Sequence, residues 1–220
     1  MLTYSIMLDG GFVRRKTGSA TKPATSDDIV RLSAAIRSHP LLLSHRLHRI
    51  YFYDAAPSSE IIENPFSGER LDFGTTRAYR ASEVMHNQLA CEDFFANRLG
   101  ELSVEGWTPK KDLRKVTEES LTLRSDDIKP IVGQKGVDMR IGLDMANLTL
   151  KKLSSLIVLV TGDSDFVPAM KFARREGTQL VLVTLGHGVK EPMRHHADVV
   201  LPSGVAEWFA RLAATSPAQA

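Results

Sequence analysis

Residues 156–160 read LIVLV, and residues 161–166, which follow directly, read TGDSDF. A short continuous apolar run of this kind is typical of a strand buried on both faces, as in a parallel sheet. A second such run, residues 180–185, follows a helix-length segment that ends at Gly177. This order of strand, helix and strand predicts an α/β fold with a mainly parallel central sheet.

Segments on both sides of this core continue the alternation. Apolar and β-branched residues predict strands at 4–8 and 47–53, and a short strand at 198–201. Helical spacing of apolar residues predicts helices at 26–37, 165–176 and 205–213. We therefore expect one domain over residues 1–213 and a flexible tail at 214–220.

The stretch from 55 to 134 departs from this simple alternation and is expected to be an elaborated insert within the domain. Proline and glycine predict that residues 55–80 are mainly loop. Residues 83–99 have apolar side chains at helical spacing, which predicts a helix, and residues 101–132 are expected to hold a short strand or two.

Composition excludes several classes of protein. A chain of 220 residues with 43% hydrophobic residues and a formal net charge of +2 is expected to fold rather than stay disordered. Its single cysteine, Cys91, allows neither an internal disulfide nor a thiolate zinc site, and we expect it to be buried. No apolar run approaches the roughly 20 residues of a membrane span, and the first residues are typical of a strand rather than a signal peptide. These features predict a cytoplasmic protein without a membrane partner.

Acidic residues follow three of the predicted core strands. The carboxyl ends of parallel strands meet at one edge of a sheet, where such folds bind ligands. Asp163 and Asp165 follow the third strand, and two acids are more than a helix cap requires. Asp9 follows the first strand in an Asp-Gly-Gly sequence that is also typical of a turn, and Asp54 is expected to be a loop acid. The sequence therefore points to a carboxylate site centred on Asp163 and Asp165.

A fourth acidic element is a helix predicted to start near Gly136. Asp138 would lie in its first turn, where the helix dipole favours an acid in any protein. Asp144 would point to a different side, where it could support a second ligand shell or simply solvate the helix. Clustered carboxylates repel one another unless they are neutralised, and Mg²⁺ or Mn²⁺ is the usual partner of sites built from oxygen alone. The pair His195-His196 lacks the spacing of a helical metal site.

Two groups of cations stand out in a chain of almost balanced charge. One consists of Arg14, Arg15 and Lys16, which we expect in a loop near Asp9. The other lies in residues 107–115, which read WTPKKDLRK, and contributes Lys110, Lys111, Arg114 and Lys115. Such groups are usually solvated surface, but they are also candidates for contacts with RNA phosphates. Trp107 could be a stacking surface for a base, although core packing is the more ordinary role for it.

Three motifs in this order resemble the NYN domain family, and its LabA-like branch in particular, within the PIN-like nuclease superfamily. They are Asp9-Gly10-Gly11 after the first strand, Lys135-Gly136-Val137-Asp138 at the start of a helix, and Thr161-Gly162-Asp163-Ser164-Asp165-Phe166 after a later strand. The resemblance extends over about residues 3 to 202. It implies a three-layer α/β/α PIN-like fold with an acidic pocket that binds one or two Mg²⁺ or Mn²⁺ ions.

The resemblance further implies hydrolysis of RNA phosphodiester bonds by a metal-activated water. Carried over by position, the catalytic and metal-binding set is Asp9, Asp138, Asp163 and Asp165. Lys135, Thr161, Ser164 and Asp144 are expected to support it. One departure concerns Gly11, because many members have Asn at this position, and its absence bears on catalysis more than on metal binding.

Two other functions stay open on the sequence. One is a phosphohydrolase acting on a nucleotide or small phosphoester with the same metal chemistry. The other is a non-catalytic RNA-binding or regulatory module that keeps the fold. Association into a homo-oligomer is left open.

Overall fold

The computed structural model describes residues 2–19, 21–111 and 122–215, in which strands and helices alternate. The strands are β1 (Thr3–Asp9), β2 (Arg46–Ala56), β3 (Ile61–Glu63), β4 (Arg70–Asp72), β5 (Phe95–Pro109), β6 (Ile128–Lys135), β7 (Leu156–Val160), β8 (Gln179–Val183) and β9 (Val199–Leu201). The helices are α1 (Gly10–Thr17), α2 (Ser26–Arg37), α3 (Arg77–Ala90), α4 (Val137–Leu150), α5 (Val167–Arg175), α6 (Glu191–His195) and α7 (Val205–Thr215).

The central sheet has seven strands in the order β6-β5-β2-β1-β7-β8-β9. Its neighbours pair in parallel except for β5 and β6, which are antiparallel. In the middle of the sheet Met7 lies between Tyr51 of β2 and Leu159 of β7. The short strands β3 and β4 form a separate antiparallel ribbon. The predicted mainly parallel sheet is confirmed.

Helices cover both faces of the sheet. Because successive side chains of a strand point to opposite faces, Ile6 and Leu8 pack on one side and Met7 packs on the other. The first side carries α1, α2, α3 and α7, and Trp208 of α7 is completely buried there. The second side carries α4, α5 and α6. The fold is therefore a three-layer α/β/α sandwich, as predicted.

The start of α2 shows how closely local sequence can determine an element. The Thr25 hydroxyl accepts the amide of Asp28, and the Asp28 carboxylate accepts the amide of Thr25, which is a complete capping box. The helix ends at Arg37, shortly before Pro40 begins a single 3₁₀ turn. The predicted helix at 26–37 is confirmed at both ends.

The prediction of one helix over residues 83–99 is wrong. The helix lies earlier, at Arg77–Ala90, and Phe94 has a left-handed backbone (φ 67°) that separates it from β5. Residues 95–99 instead belong to a strand that pairs in parallel with β2, with Phe95 opposite Ile50. Apolar residues four apart fit a helix and a half-buried strand about equally well, so their spacing does not decide between the two. Residues 95–99 form a strand because the edge of β2 is free to pair with them. Residues 61–63 and 70–72, expected as loop, form the β3–β4 ribbon.

Two smaller predictions are also corrected. Arg14, Arg15 and Lys16 do not lie in a loop, because Asp9 caps a helix that starts at Gly10 and includes them. Cys91 is exposed rather than buried, since it is the residue that ends α3 beside a turn. Among the described residues, no helix is both long and apolar enough to cross a membrane.

Candidate active site

Asp9 lies at the carboxyl end of β1, and the fold holds both of its carboxylate oxygens. Oδ1 accepts the backbone amide of Phe12 (3.0 Å), which caps α1. Oδ2 accepts the hydroxyl of Thr161 (2.7 Å), which comes from the end of β7. Burial raises the pKa of Asp9 above its ordinary value, although these two hydrogen bonds and the charge of Arg15 act against the shift. The carboxylate is thus oriented and carries an incompletely compensated charge.

Residues 161–166, here called the Thr161 motif, continue this chain of hydrogen bonds. The buried Thr161 hydroxyl also accepts the amide of Asp163 (3.1 Å), and Asp163 Oδ1 accepts the amide of Asp165 (2.9 Å). A 3₁₀ turn at Ser164–Phe166 then leads into α5. Asp163 and Asp165 are exposed, whereas the strand before them is fully buried. The turn therefore presents two acids to solvent beside Asp9.

Asp138 approaches the same place from the other layer. Gly136 precedes α4 with a left-handed backbone (φ 74°), a conformation that favours glycine, and Asp138 lies in the first turn of the helix. The pKa of Asp138 is raised, first by the partial burial of its carboxyl group on a side chain that is otherwise exposed, and then by the negative charges of Asp163, Asp9 and Asp165. Because charges act over short distances at a protein surface, this mutual effect indicates that the four acids lie close together.

The donor set fits a hard divalent cation, because it consists of carboxylate oxygens with uncompensated charge. In the described part of the chain, however, no three His, Cys, Asp or Glu side chains form a group tight enough to hold an ion. The four acids thus gather negative charge without a compact coordination group. The ligand roles of these acids stay a prediction.

The predicted supporting residues differ in where their side chains go. Thr161 contacts Asp9 directly, as described. Lys135 pairs with Glu105 across the β5–β6 ribbon (3.2 Å), and both side chains are largely exposed. The Ser164 hydroxyl accepts Lys190 Nζ (3.0 Å). Asp144 accepts the Tyr53 hydroxyl (3.0 Å) and Arg98 Nε (2.9 Å). Among these four residues, only Thr161 forms a hydrogen bond with one of the four acids in the part of the chain that the structure describes.

The predicted cations also separate. Arg14 and Arg15 line a cavity of about 440 Å³ together with Gly11 and Gln134, and Gly11 is two residues from Asp9. Lys16 lies over the ring of Phe12, 5.8 Å from its centroid. Lys110 and Lys111 are exposed beyond the end of β5, and Trp107 on that strand is half-buried. Arg114 and Lys115 lie outside the described residues.

Sequence reasoning missed the role of Asp54. It belongs to β2 rather than to a loop and is completely buried. Its Oδ2 accepts Arg14 (2.7 Å) and His86 Nε2 (3.0 Å), and its Oδ1 accepts Gln134 (3.0 Å) and the Ala55 amide (2.9 Å). Burial alone would raise the pKa of Asp54, but the His86 hydrogen bond and the Arg14 charge outweigh it and lower the pKa. Asp54 therefore positions Arg14 and Gln134 in the cavity.

Two further residues beside the site come from the segment after β8. The ring of His187 packs edge-on against Phe12 of α1, with 5.8 Å between the centroids. Lys190 donates to Ser164, between the two exposed acids of the Thr161 motif. Neither residue belongs to a recognisable motif, and only the return of the chain from β8 places them there.

The chain matches the model of a known protein family. The family model described as NYN domain matches residues 22–204, which leaves β1, Asp9 and α1 outside the matched stretch. The match concerns the family as a whole, so the LabA-like branch stays a prediction. A comparison with curated proteins found no match.

Three of the solved structures that this chain resembles are distant in sequence. A protein of unknown function, VPA0982 from Vibrio parahaemolyticus, is 12% identical with a TM-score of 0.49, and the alignment covers 91% of each chain. Sir2Af2 bound to a myristoylated histone peptide is 8% identical with a TM-score of 0.40, over 96% of this chain and 89% of that one. A Sir2 mutant with a p53 peptide and NAD is 12% identical with a TM-score of 0.38, over 96% and 91%. Likeness at this level carries no argument about function.

Proposed function

Because the chain belongs to the NYN domain family, whose members are typically nucleases of the PIN-like superfamily, we propose that it is a metal-dependent ribonuclease. Asp9, Asp138, Asp163 and Asp165 would hold one or two Mg²⁺ or Mn²⁺ ions. The observation that supports this proposal most strongly is the arrangement of Asp9, Asp163 and Asp165, which hydrogen bonds through Thr161 hold together at the carboxyl ends of β1 and β7. In addition to burial, the charges of these three acids raise the pKa of Asp138. Such an excess of negative charge favours a cation as its partner.

A divalent cation at such a site lowers the pKa of water and offsets the charge that develops on a phosphoryl group. The residues of the chain would orient the ligands. Asp9 uses one acceptor site on each oxygen for Phe12 and Thr161, and a carboxylate has about four such sites. Asp9 can therefore keep its orientation and still accept a cation.

RNA is the proposed partner. Arg14, Arg15 and Lys16 lie on α1, which begins directly after Asp9, and would bind phosphates next to the one being cleaved. Asp54 would hold Arg14 in place through its buried ion pair.

We also propose that residues 1–213 form a single domain with an insert at 55–134, and that the protein is located in the cytoplasm.

The test is cleavage of RNA and single-stranded DNA in Mg²⁺, in Mn²⁺ and in a chelator. We expect RNA cleavage that needs metal and falls by roughly a hundredfold or more in Asp163→Asn and Asp165→Asn, comparable to the loss of other groups that stabilise transition-state charge. Asp93→Asn serves as the matched control, because Asp93 is exposed in the turn before β5, at the opposite edge of the sheet. Cleavage that continues in the chelator would refute the proposal. So would equal cleavage rates in Asp163→Asn, Asp165→Asn and Asp93→Asn.

A non-catalytic RNA-binding module is the second candidate, and Gly11 is the observation that favours it. A Cβ at this position would lie 3.6 Å from Asp9 Oδ1 and 3.3 Å from Gln134 Oε1, so the position borders the acidic site. Glycine leaves no polar side chain there. If the protein binds RNA but its cleavage rate is indistinguishable from that of Asp163→Asn, the binding module is the correct function.

A further inference from the structure

We infer that single-stranded RNA runs from the acidic site into a second groove, which lies between the segment 21–26 and helix α3. This groove, here called the α2–α3 groove, has a volume of about 700 Å³. The inference rests on the proposed function, because it identifies where the substrate strand continues beyond the cleaved bond. It assigns RNA contacts to Lys22, Arg77 and Arg80, which belong to neither of the predicted groups of cations.

The floor of the α2–α3 groove is apolar although it faces solvent. Val84 is 52% exposed, and Met85, Ala81 and Pro23 line the groove beside it. An exposed apolar surface in a concave site is typical of a place that binds a ligand. Unpaired bases have large apolar faces, so they are suitable occupants of such a floor.

The rim of the groove is positively charged. Lys22, Arg77 and Arg80 all line it, all three are exposed, and no Asp or Glu is among the lining residues. None of the three takes part in an ion pair with another described residue. Their charges are therefore available to a polyanion, and a strand with one phosphate per nucleotide matches several cations along one groove.

The groove continues directly from the proposed active site. The cavity that holds Gly11, Arg14 and Arg15 also includes Pro23 and Ala24, and both of these residues line the α2–α3 groove as well. A strand that leaves Asp9 would thus meet Arg14 and Arg15 first and Arg77 and Arg80 later. The two cavities form one path with cations along its length.

The topology places the path at the correct edge of the sheet. Helix α2 leads into β2, and α3 leads into β5, and both strands run parallel to β1. The amino ends of both helices therefore lie at the edge where β1 ends in Asp9. The positive ends of the two helix dipoles add to the charge of the rim.

Single-stranded RNA fits the combination of floor and rim better than a duplex does. In a duplex the bases are stacked inside and only backbone and groove edges are presented, so the apolar floor would stay uncovered. In a single strand the phosphates can follow the cations while unstacked bases cover the exposed side chains of Val84 and Ala81. The occupant that matches both features is an unpaired strand.

The experiment measures binding separately from cleavage. Fluorescence anisotropy with labelled single-stranded RNA of roughly 12 nucleotides, in a chelator that prevents metal-dependent hydrolysis, compares wild type with Arg77→Ala/Arg80→Ala. We expect affinity to fall roughly tenfold, and the slope of log affinity against log salt to decrease by about 1.4, which corresponds to two phosphate contacts. The control is Lys171→Ala/Arg175→Ala, which removes two exposed cations from α5 on the opposite face.

Two further measurements test the path itself. Val84→Asp should weaken binding of the long strand while Val84→Leu should not, because only the first places a negative charge on the floor. An RNA of roughly 3 nucleotides, too short to reach the groove, should bind equally well to wild type and to Arg77→Ala/Arg80→Ala.

The inference is overturned if the α3 and α5 double variants lose affinity equally, or if duplex RNA loses as much as the single strand. Its failure is distinguishable from that of the proposed function. Cleavage that depends on Asp163 with unchanged binding in the α3 variant would refute the groove alone. Weakened binding in the α3 variant without any cleavage in metal would refute the nuclease alone.

Discussion

Replacement of Asp54 by asparagine removes a negative charge that the fold encloses completely. The four groups that donate to this carboxylate come from α1, β2, α3 and β6. Asparagine has nearly the same shape and keeps one oxygen, but its amide nitrogen cannot accept a hydrogen bond. If the nitrogen replaces Oδ2, it cannot accept from Arg14 or His86, and if it replaces Oδ1, it cannot accept from Gln134 or the Ala55 amide.

The expected cost follows from burial. Breaking a buried ion pair by removing one partner costs roughly 3 to 5 kcal/mol. Arg14 is 30% exposed and can partly recover contact with water, which reduces this cost, whereas His86 is buried and cannot. We expect Asp54→Asn to lower the free energy of unfolding by about 3 kcal/mol.

Asp144→Asn is the matched control. Asp144 also accepts from an arginine and from an aromatic residue, but it is 23% exposed and its partner Arg98 is 41% exposed. Water screens this pair, so its loss should cost about 1 kcal/mol or less. The two variants thus remove similar partners and differ in burial.

The assay is urea unfolding followed by circular dichroism at several pH values. The lowered pKa of Asp54 means that its contribution is fully present above the ordinary Asp value of about 4 and is lost as the pH falls through the folded-state value. The difference between wild type and Asp54→Asn should therefore be constant near neutrality and shrink in acid. Equal costs for Asp54→Asn and Asp144→Asn, or a difference that grows in acid, would refute the reasoning.

Four further predictions concern the site and its support. Gly10→Ala should lower the unfolding free energy by about 2 kcal/mol or more, because its Cβ would lie 2.4 Å from the backbone oxygen of Tyr53. Gly11→Ala should cost nothing or stabilise α1 by up to about 1 kcal/mol, since its nearest neighbours are side-chain ends. Mn²⁺ at about a hundred times its Kd should stabilise wild type by about 2.7 kcal/mol, measured as a shift in Tm, but not Asp163→Asn. Tyr53→Phe should cost about 1 to 2 kcal/mol in urea unfolding, because it leaves Asp144 without a hydroxyl donor.

Each of these predictions has a result that contradicts it. Equal costs for Gly10→Ala and Gly11→Ala would show that the close approach to Tyr53 relaxes easily. An equal Mn²⁺ shift in wild type and Asp163→Asn would place the cation elsewhere. An unchanged unfolding midpoint in Tyr53→Phe would mean that water replaces the lost bond.

The sequence predicts the core elements well because each has a local cause. The LIVLV run of β7 is apolar throughout, as a strand buried on both faces requires, and Thr25 and Asp28 define the start of α2 by themselves. The turn that follows Thr161 is likewise local, since the hydrogen bonds within it join residues two apart, although the bond from Thr161 to Asp9 is not. The place of such elements in a parallel sheet follows from their order.

The errors arise where distant residues decide the outcome. The residues after Phe94 form a strand because β2 offers a free edge, which their spacing does not reveal. Ala55, Ala56 and Pro57 after Asp54 suggest a loop, and the sequence near Asp54 does not reveal its role, because its partners Arg14, His86 and Gln134 lie 40, 32 and 80 residues away. The rim of the α2–α3 groove likewise includes Lys22 and Arg77, which lie too far apart in sequence to be recognised as one group of cations.

The two hydrogen bonds of Asp9 decide which substitution is suitable for crystallising the protein with uncleaved RNA, its proposed substrate. A substitution at Asp9 that cannot accept hydrogen bonds would release the first turn of α1 and the Thr161 hydroxyl together, so an inactive protein made in this way would also be a rearranged one. Asp138 is exposed and makes no hydrogen bond in the described part of the chain. Asp138→Asn is therefore the better choice for co-crystallisation, because it changes the charge of the site and leaves its architecture in place.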